Sequence, residues 1–292
     1  MNLWHKIFSP MLLTEIDKPF NSKDYLYEIK YDGVRCLIYV SPKSIKIINR
    51  NLNDTTNLFP ELQCLKNIVK NKVIFDGEII CELNGKPSFS RLQERLHLKN
   101  NSKINKISQT NPVTFIAFDI LYENKDLTDL PLIKRKEYLN KYLDNDNFVK
   151  SYYIKEKGKE LFNQVKKLDL EGIVAKKINS KYYPNTRCDE WIKIKNFKCE
   201  EFYIGGYIVK KSKYVISILL GEYKDNKLIY VGSCSLSKKH FLYEKIINSK
   251  LTKNCFSNLN IVANFIKPKL KIKINYMERT KNNNLRQPFV KK

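Results

Sequence analysis

The stretch Trp191-Ile-Lys-Ile-Lys195 alternates apolar and charged residues with period two, the pattern of a half-buried strand. Such a strand puts Ile192 and Ile194 on one face and Lys193 and Lys195 on the other. The apolar face requires a core behind the sheet. The two ammonium groups repel unless an anion lies between them, and phosphate is the natural candidate. A chain built around this strand is expected to hold a sheet with one face packed and the other turned to a polyanion.

The rest of the chain agrees with a polyanionic partner. Over 292 residues, 54 Lys and Arg stand against 30 Asp and Glu, a formal charge of +24. Such a potential attracts nucleic acid through phosphate neutralisation and counterion release. The excess is densest toward the C-terminal end, where residues 199–292 hold 19 basic and 6 acidic side chains. Hydrophobic residues make up 42%, which excludes a disordered chain. No apolar run reaches the ~20 residues that span a bilayer. Met1-Asn-Leu-Trp-His-Lys6 has no apolar signal core, and no basic amphipathic helix shows a broad apolar face. The expectation is no membrane partner and a cytoplasmic location. The seven Cys include no Cys-x-x-Cys pair, which argues for reduced thiols and against a disulfide framework or a zinc site.

Two domains are expected, 1–197 and 198–292, joined in the polar stretch from Lys195 to Glu201. The first mixes strands with helices and reads as α+β. Tyr25–Lys30 is a strand, and Val34–Val40 follows it after an Asp32-Gly33 turn. Val73–Phe75 and Ile79–Cys81 read as strands separated at Asp76-Gly77-Glu78. Pro60–Val69, Phe89–Leu98, Leu132–Leu143 and Gly158–Lys167 have helical spacing. The second domain is strand-dominated, with a turn at Asp225-Asn226, a helix from a Ser237 cap to about Ser249, and an alternating strand up to Tyr276. That pattern suits a β-barrel of the OB type.

There is no Walker A or Gly-x-Gly-x-x-Gly sequence, and His5, His97 and His240 form no catalytic pattern. Phosphate chemistry therefore falls to lysines and carboxylates. They occur in a defined order: Glu28-Ile-Lys30-Tyr-Asp32-Gly33-Val-Arg35, Asp76-Gly77-Glu78, Phe118-Asp119, Glu171-Gly-Ile-Val-Ala-Lys176 and Trp191-Ile-Lys193-Ile-Lys195. This series resembles the motifs of the covalent nucleotidyltransferases: DNA ligases, RNA ligases and mRNA capping enzymes. Ser90–Arg95, Tyr182–Arg187, and the tail from Glu278-Arg-Thr-Lys281 to Leu285-Arg-Gln-Pro288 make it most similar to ATP-dependent DNA ligases of the bacterial end-joining, ligase-D-like class.

The resemblance implies an adenylation (nucleotidyltransferase) domain followed by an OB-fold DNA-binding domain. The implied activity is sealing of nicks or double-strand-break ends through lysyl-AMP and then DNA-adenylate. The alternative is an RNA ligase or capping-type enzyme with the same lysine chemistry. Lys30 is the implied nucleophile. An ordinary lysine has a pKa of about 10.4, and Mg²⁺ or Mn²⁺ together with Lys193 and Lys195 are expected to lower it. Glu28 is expected to read the adenine amino group and Phe118 to stack on the base. Arg35 and Arg50 are expected to hold the ribose, a phosphate or the DNA end, and Lys193 and Lys195 the α-phosphate. Glu78 and Glu171 are the implied metal carboxylates, with Glu78 also near the ribose. Arg50, Lys176 and Arg187 are the implied nucleic-acid contacts. Asp76 is expected to secure a turn and Asp119 to be structural. Three departures stand out: Leu52 two residues after Arg50, where Gly is usual; Asn185 after Pro184; and a tail lacking a Gly-Leu-Arg segment, with Lys291 or Lys292 as substitutes. The implied partners are ATP, nicked or broken duplex DNA, a Ku-like end binder and a separate polymerase-primase. The implied enzyme is a nucleoid-associated monomer in a bacterial cytoplasm.

Overall fold

The computed structural model describes residues 2–210 and 214–290. The chain divides into two compact units, Met1–Asn196 and Phe197–Lys292.

The first sheet of the N-terminal unit contains, in spatial order, β1 (Leu12–Glu15), β11 (Arg187–Lys195), β10 (Gly172–Lys177), β2 (Ser22–Ile29) and β9 (Tyr153–Glu156). Val174 stands opposite Glu28 on one side and Lys193 on the other, and Lys176 stands opposite Trp191. Residues in register share a face. Glu28, Val174, Lys176, Trp191, Lys193 and Lys195 therefore lie on one side. Tyr27, Ile173, Ala175 and Ile194 lie on the other, where they pack with Phe162 and Val165 of α4 (Gly158–Lys167). The lysine–isoleucine alternation thus gives the half-buried strand expected of it.

The second sheet runs β4 (Ile45–Asn49), β3 (Val34–Val40), β5 (Val73–Leu83), β7 (Val113–Glu123) and β8 (Phe148–Lys150), with β6 (Lys86–Pro87) on β5. One face carries a core of Ile38, Phe75, Phe115 and Phe148 with Phe59 and with Leu62 and Leu65, the last two from a segment over Pro60–Asn67. That segment is a 3-10 helix rather than the expected α-helix. The other face shares a core with the first sheet, where Leu37 and Ile74 meet Leu26, Tyr182 and Trp191. The two sheets therefore pack against each other, and the α+β class is as expected.

Local expectations were revised at the glycines. Asp76-Gly77-Glu78 does not break a strand; β5 passes straight through it. Gly77 is needed because a Cβ there would collide with the Phe115 ring and the Ile116 carbonyl on β7. Asp32-Gly33 does not close a hairpin either, since β2 and β3 belong to different sheets. It is a crossover, and Gly33 passes too close to the Ile79 carbonyl to carry a side chain. Three helices surround these strands: α1 (Phe89–Leu96), α2 (Asn101–Thr110) and α3 (Leu132–Leu139). Helix α2 buries only Ile104 and so gives no apolar period to read. What starts it is a cap, the Asn100 side chain accepting from the Lys103 amide.

The C-terminal unit is a six-stranded antiparallel sheet. Its order is β14 (Lys227–Ser237), β13 (Val215–Lys224), β12 (Lys198–Val209), β16 (Lys271–Tyr276) and β17 (Phe289–Val290), with β15 (Asn264–Phe265) on β12. Asp225 and Asn226 make the β13–β14 hairpin with φ of 49° and 60°, the left-handed pair of a type I′ turn. Ser237 ends β14 instead of capping a helix, and the helix is the short α5 (Tyr243–Ile247). In the tail, Arg279 binds Glu200 of β12 and Glu222 of β13, each at 2.9 Å. Lys291 and Lys292, the expected tail substitutes, lie outside the described residues. No helix of the described residues is long and apolar enough to cross a membrane.

Leu52 adopts φ 66°, the left-handed region that a glycine fills without strain. Its side chain is exposed and buries little. Leu52→Gly is therefore expected to stabilise the chain by about 0.5 kcal/mol in urea denaturation. An ordinary loop position would lose stability on the same change, and such a loss would contradict the strain.

Candidate active site

The site lies in the N-terminal unit, between its two sheets. A pocket there is lined by Glu28, Lys30, Tyr31, Arg35, Glu78, Phe118, Val174, Lys176 and Trp191, with Leu13 and Ile29. Lys30 follows β2, and its amide donates to the Gly172 carbonyl at 2.9 Å. That bond places Lys30 beside Glu171, and the Lys30 Nζ donates to Glu171 Oε2 at 2.7 Å. Gly172 can approach so closely because it carries no Cβ, which would collide with the Ile194 carbonyl.

The electrostatics of Lys30 differ from expectation. Burial alone would lower its pKa, but Glu171, Glu78 and Asp32 outweigh burial and raise it above the ordinary lysine range. The resting side chain is an ammonium ion, not a depressed amine. The carboxylates show the same excess of negative charge. Burial, with Glu171 and Asp76, pushes Glu78 up to about 8 despite Lys30 and Arg35. Burial also raises Glu171. Among the described residues no cluster of three or more His, Cys, Asp or Glu forms a metal site. Two half-buried carboxylates short of positive charge nevertheless fit a hard divalent cation whose remaining ligands are phosphate oxygens and water.

Lys193 and Lys195 flank this centre and already have an anion between them. Glu15 Oε2 on β1 lies 2.9 Å from the Lys193 Nζ and 3.7 Å from the Lys195 Nζ. Burial would raise the Glu15 carboxyl, but the two lysines hold it below the usual range. Burial lowers Lys195, with help from Lys193 and Lys30. The sequence showed that an anion is needed there but not that the protein supplies its own.

On the pocket's other side, Arg35 makes a two-pronged bond to Asp76, with Nε at 3.1 Å and Nη2 at 2.7 Å. Tyr182 donates to the same carboxylate at 2.7 Å. Asp76 therefore orients Arg35 and secures no turn. Asp119 is structural as expected, buried against Arg135 at 2.9 Å. Phe118 turns into the pocket, but its ring is already covered: the Lys176 Nζ lies 4.2 Å from its centroid and 4.3 Å from that of Trp191. Lys176 also binds Glu28 at 2.8 Å and is 2% exposed, so a DNA backbone cannot reach it. Burial lowers its pKa to about 8. Lys176 thus belongs to the pocket lining and not to the exposed surface. Arg50 and Arg187 are exposed and outside the pocket lining. Arg187 donates to the Leu13 carbonyl, and the Arg50 amide to the Arg35 carbonyl.

Residues 10–195 match the family model of the ATP dependent DNA ligase domain. The chain is also 34% identical over 212 residues to the SPbeta prophage-derived DNA ligase-like protein LigB of Bacillus subtilis, covering 72% of this chain and 75% of that one. The chain belongs to the ATP-dependent DNA ligases. As a ligase of this family it uses ATP and forms phosphodiester bonds, which leaves the RNA-directed alternative without support. It is 28% identical to the multifunctional non-homologous end joining protein LigD of Mycolicibacterium smegmatis over 96% of its own length and 37% of that protein's. It spans about a third of the LigD relatives. The ligase shares its fold with a mycobacterial DNA ligase D solved with ATP and MES, at a TM-score of 0.59 and 24% identity over 96% and 93% of the two chains. A Lig E DNA ligase gives a TM-score of 0.65 at 17% identity over 98% and 99%.

Sequence reading missed Val174, Trp191, Glu15 and Lys136, the last an ion-pair partner of Glu28. Strand alternation marks the first two, because they share faces with Lys176 and Lys193. Two outcomes follow. The Glu78 carboxyl is raised in the folded state, so its ionisation costs stability as pH climbs from its unfolded value of 4.5 through about 8. Glu78→Gln removes that cost. Its melting temperature should match wild type near pH 4 and exceed it by a few degrees above pH 8; parallel curves would contradict this. Glu15→Gln frees the lysine pair, so titration with pyrophosphate at low salt should show binding about fivefold tighter. Unchanged affinity would mean that Glu15 does not compete.

Proposed function

We propose that this chain seals nicks, or the ends of a double-strand break, in duplex DNA through AMP carried on Lys30. The observation that carries the reading is the Lys30 amine held 2.7 Å from Glu171, at the mouth of a slot lined by Phe118, Glu28, Arg35 and Glu78. In the first step the Lys30 Nζ loses a proton and bonds to the α-phosphorus of ATP, and pyrophosphate leaves with the bridging electron pair. The proton passes to solvent, and Glu171, hydrogen-bonded to the Nζ at 2.7 Å, orients the amine. A 5′-phosphate oxygen at the break then attacks the same phosphorus, and the P–N bond breaks to return the amine. Finally the 3′-hydroxyl attacks the 5′-phosphorus, loses its proton and expels AMP.

In this reading Lys193 and Lys195 exchange Glu15 for the α-phosphate and stabilise its developing charge. Glu28 accepts from the adenine amino group, and Phe118 stacks on the base once the Lys176 ammonium withdraws. Arg35, fixed by Asp76, faces the ribose and phosphate. The exposed Arg50 and Arg187 serve the DNA. Glu78 and Glu171 hold Mg²⁺ or Mn²⁺, which would offset phosphate charge when bound. Residues 1–197 act as the adenylation domain, and the basic residues 198–292 as the OB-type DNA grip. Relatives named for non-homologous end joining support a setting with a Ku-like end binder and a polymerase-primase in the bacterial cytoplasm, at the nucleoid. The enzyme acts there as a monomer.

Incubation with α-labelled ATP and Mg²⁺ is expected to label the chain, and nicked duplex to discharge the label into sealed DNA. Lys30→Ala should lose labelling entirely while keeping salt-sensitive DNA binding. A labelled Lys30→Ala protein would overturn the assignment of the nucleophile. A GTP-only adduct would overturn the substrate.

A further inference from the structure

We propose that Lys136, on α3 and outside the pocket lining, is a positioning residue for nucleotide selection: it fixes Glu28 as the acceptor for the purine amino group. The inference rests on the reading of Glu28 given above. Each Glu28 oxygen has its own partner. The Lys136 Nζ lies 2.5 Å from Oε1, while Oε2 takes the Lys176 Nζ at 2.8 Å and the Ser151 hydroxyl at 3.2 Å. Ion pairs at both oxygens restrain the carboxylate, and when the Lys176 ammonium withdraws, Lys136 is the charge that remains beside it.

The charge count gives the second reason. Glu28, Lys136 and Lys176 are 2%, 1% and 2% exposed, so one buried carboxylate faces two buried ammonium ions. Neutralisation needs only one of them, and burying a second charge is costly. Lys176 has further contacts, over Phe118 and Trp191. Among the described residues the acid paired with Lys136 is Glu28, and its other neighbour is the Tyr153 ring at 5.4 Å, on the strand position opposite Glu28. Lys136 therefore acts on the pocket through its ion pair with Glu28 and through repulsion of the Lys176 ammonium.

The groups facing Glu28 are Lys136 from α3, Lys176 from β10, the Ser151 hydroxyl after β8, Tyr153 of β9 and the Tyr31 phenol. Burial by itself would raise the Glu28 carboxyl; the two lysines outweigh it and hold it below the usual range. With Lys136 removed, one lysine still neutralises the carboxylate, so the fold keeps a paired charge. The acid itself becomes easier to protonate and free to turn.

The test measures equilibrium binding of ATP and of purine riboside triphosphate, which lacks the amino group, to the whole chain at several pH values. Wild type should prefer ATP by about tenfold, with little pH dependence in the neutral range. Lys136→Met should bring that ratio near unity in mild acid and recover part of it in mild alkali. Lys136→Arg should restore the preference. Lys136→Gln, a donor without charge, carries the same expectation as Met and replaces it if the Met variant does not fold. A Lys136→Met protein with the wild-type ratio and a flat profile overturns the inference. If Glu28→Gln abolishes the preference and the Lys136 variants do not, the role of Lys136 alone falls. If wild type shows no preference at all, the adenine reading of Glu28 falls with it.

Discussion

Ionised side chains between two packed sheets must find their counter-charges inside the protein, and that requirement organises this ligase. Water reaches only part of the space where β2, β10 and β11 face β3 and β5. Each charge there is matched locally: Arg35 with Asp76, Arg135 with Asp119, Glu28 with Lys136 and Lys176, and Lys30 with Glu171. The matching is complete for the guanidinium groups and incomplete at Glu78. The imbalance falls beside Lys30, the lysine proposed as nucleophile, where a charged substrate and a cation would settle it.

The lysine–isoleucine alternation before residue 196 was legible because it is a local pattern, and the strand follows it residue by residue. The motif order was legible too, because each motif is a short stretch at a strand end or within a strand. Three things were not. Glu15 meets lysines that lie far along the chain, and one acid at the end of Leu-Leu-Thr-Glu carries no mark of its partner. Lys136 sits in Lys-Arg-Lys-Glu, which reads as a solvated helix face although Arg135 and Lys136 are both buried. Gly77 and Gly33 were read as turn glycines because Asp-Gly usually is one. Their reason is close backbone approach, which only the neighbouring strand reveals.

The C-terminal unit shows the same division. The Asp225-Asn226 hairpin was readable from two residues, since both take left-handed conformations that favour Asn and Asp. The Ser237 helix was not, because the cross-strand pairing of β14 with β13 extends through that residue and overrides its capping tendency. Arg279, in the tail, is claimed by two carboxylates of the same unit, so its resting role is to hold the tail to the sheet.

The ammonium of Lys176 over Phe118 and Trp191 has a thermodynamic consequence. In an empty slot with bare aromatic walls, a base would displace ordered water from apolar surface, and binding would carry a large negative heat-capacity change. Here the rings are already covered by a cation and a lysine stem. On the proposed reading the base exchanges one covering for another, and little apolar surface leaves water. The enthalpy of nucleotide binding in this ligase should therefore vary little with temperature, set by the trade between a cation and a base on the same ring.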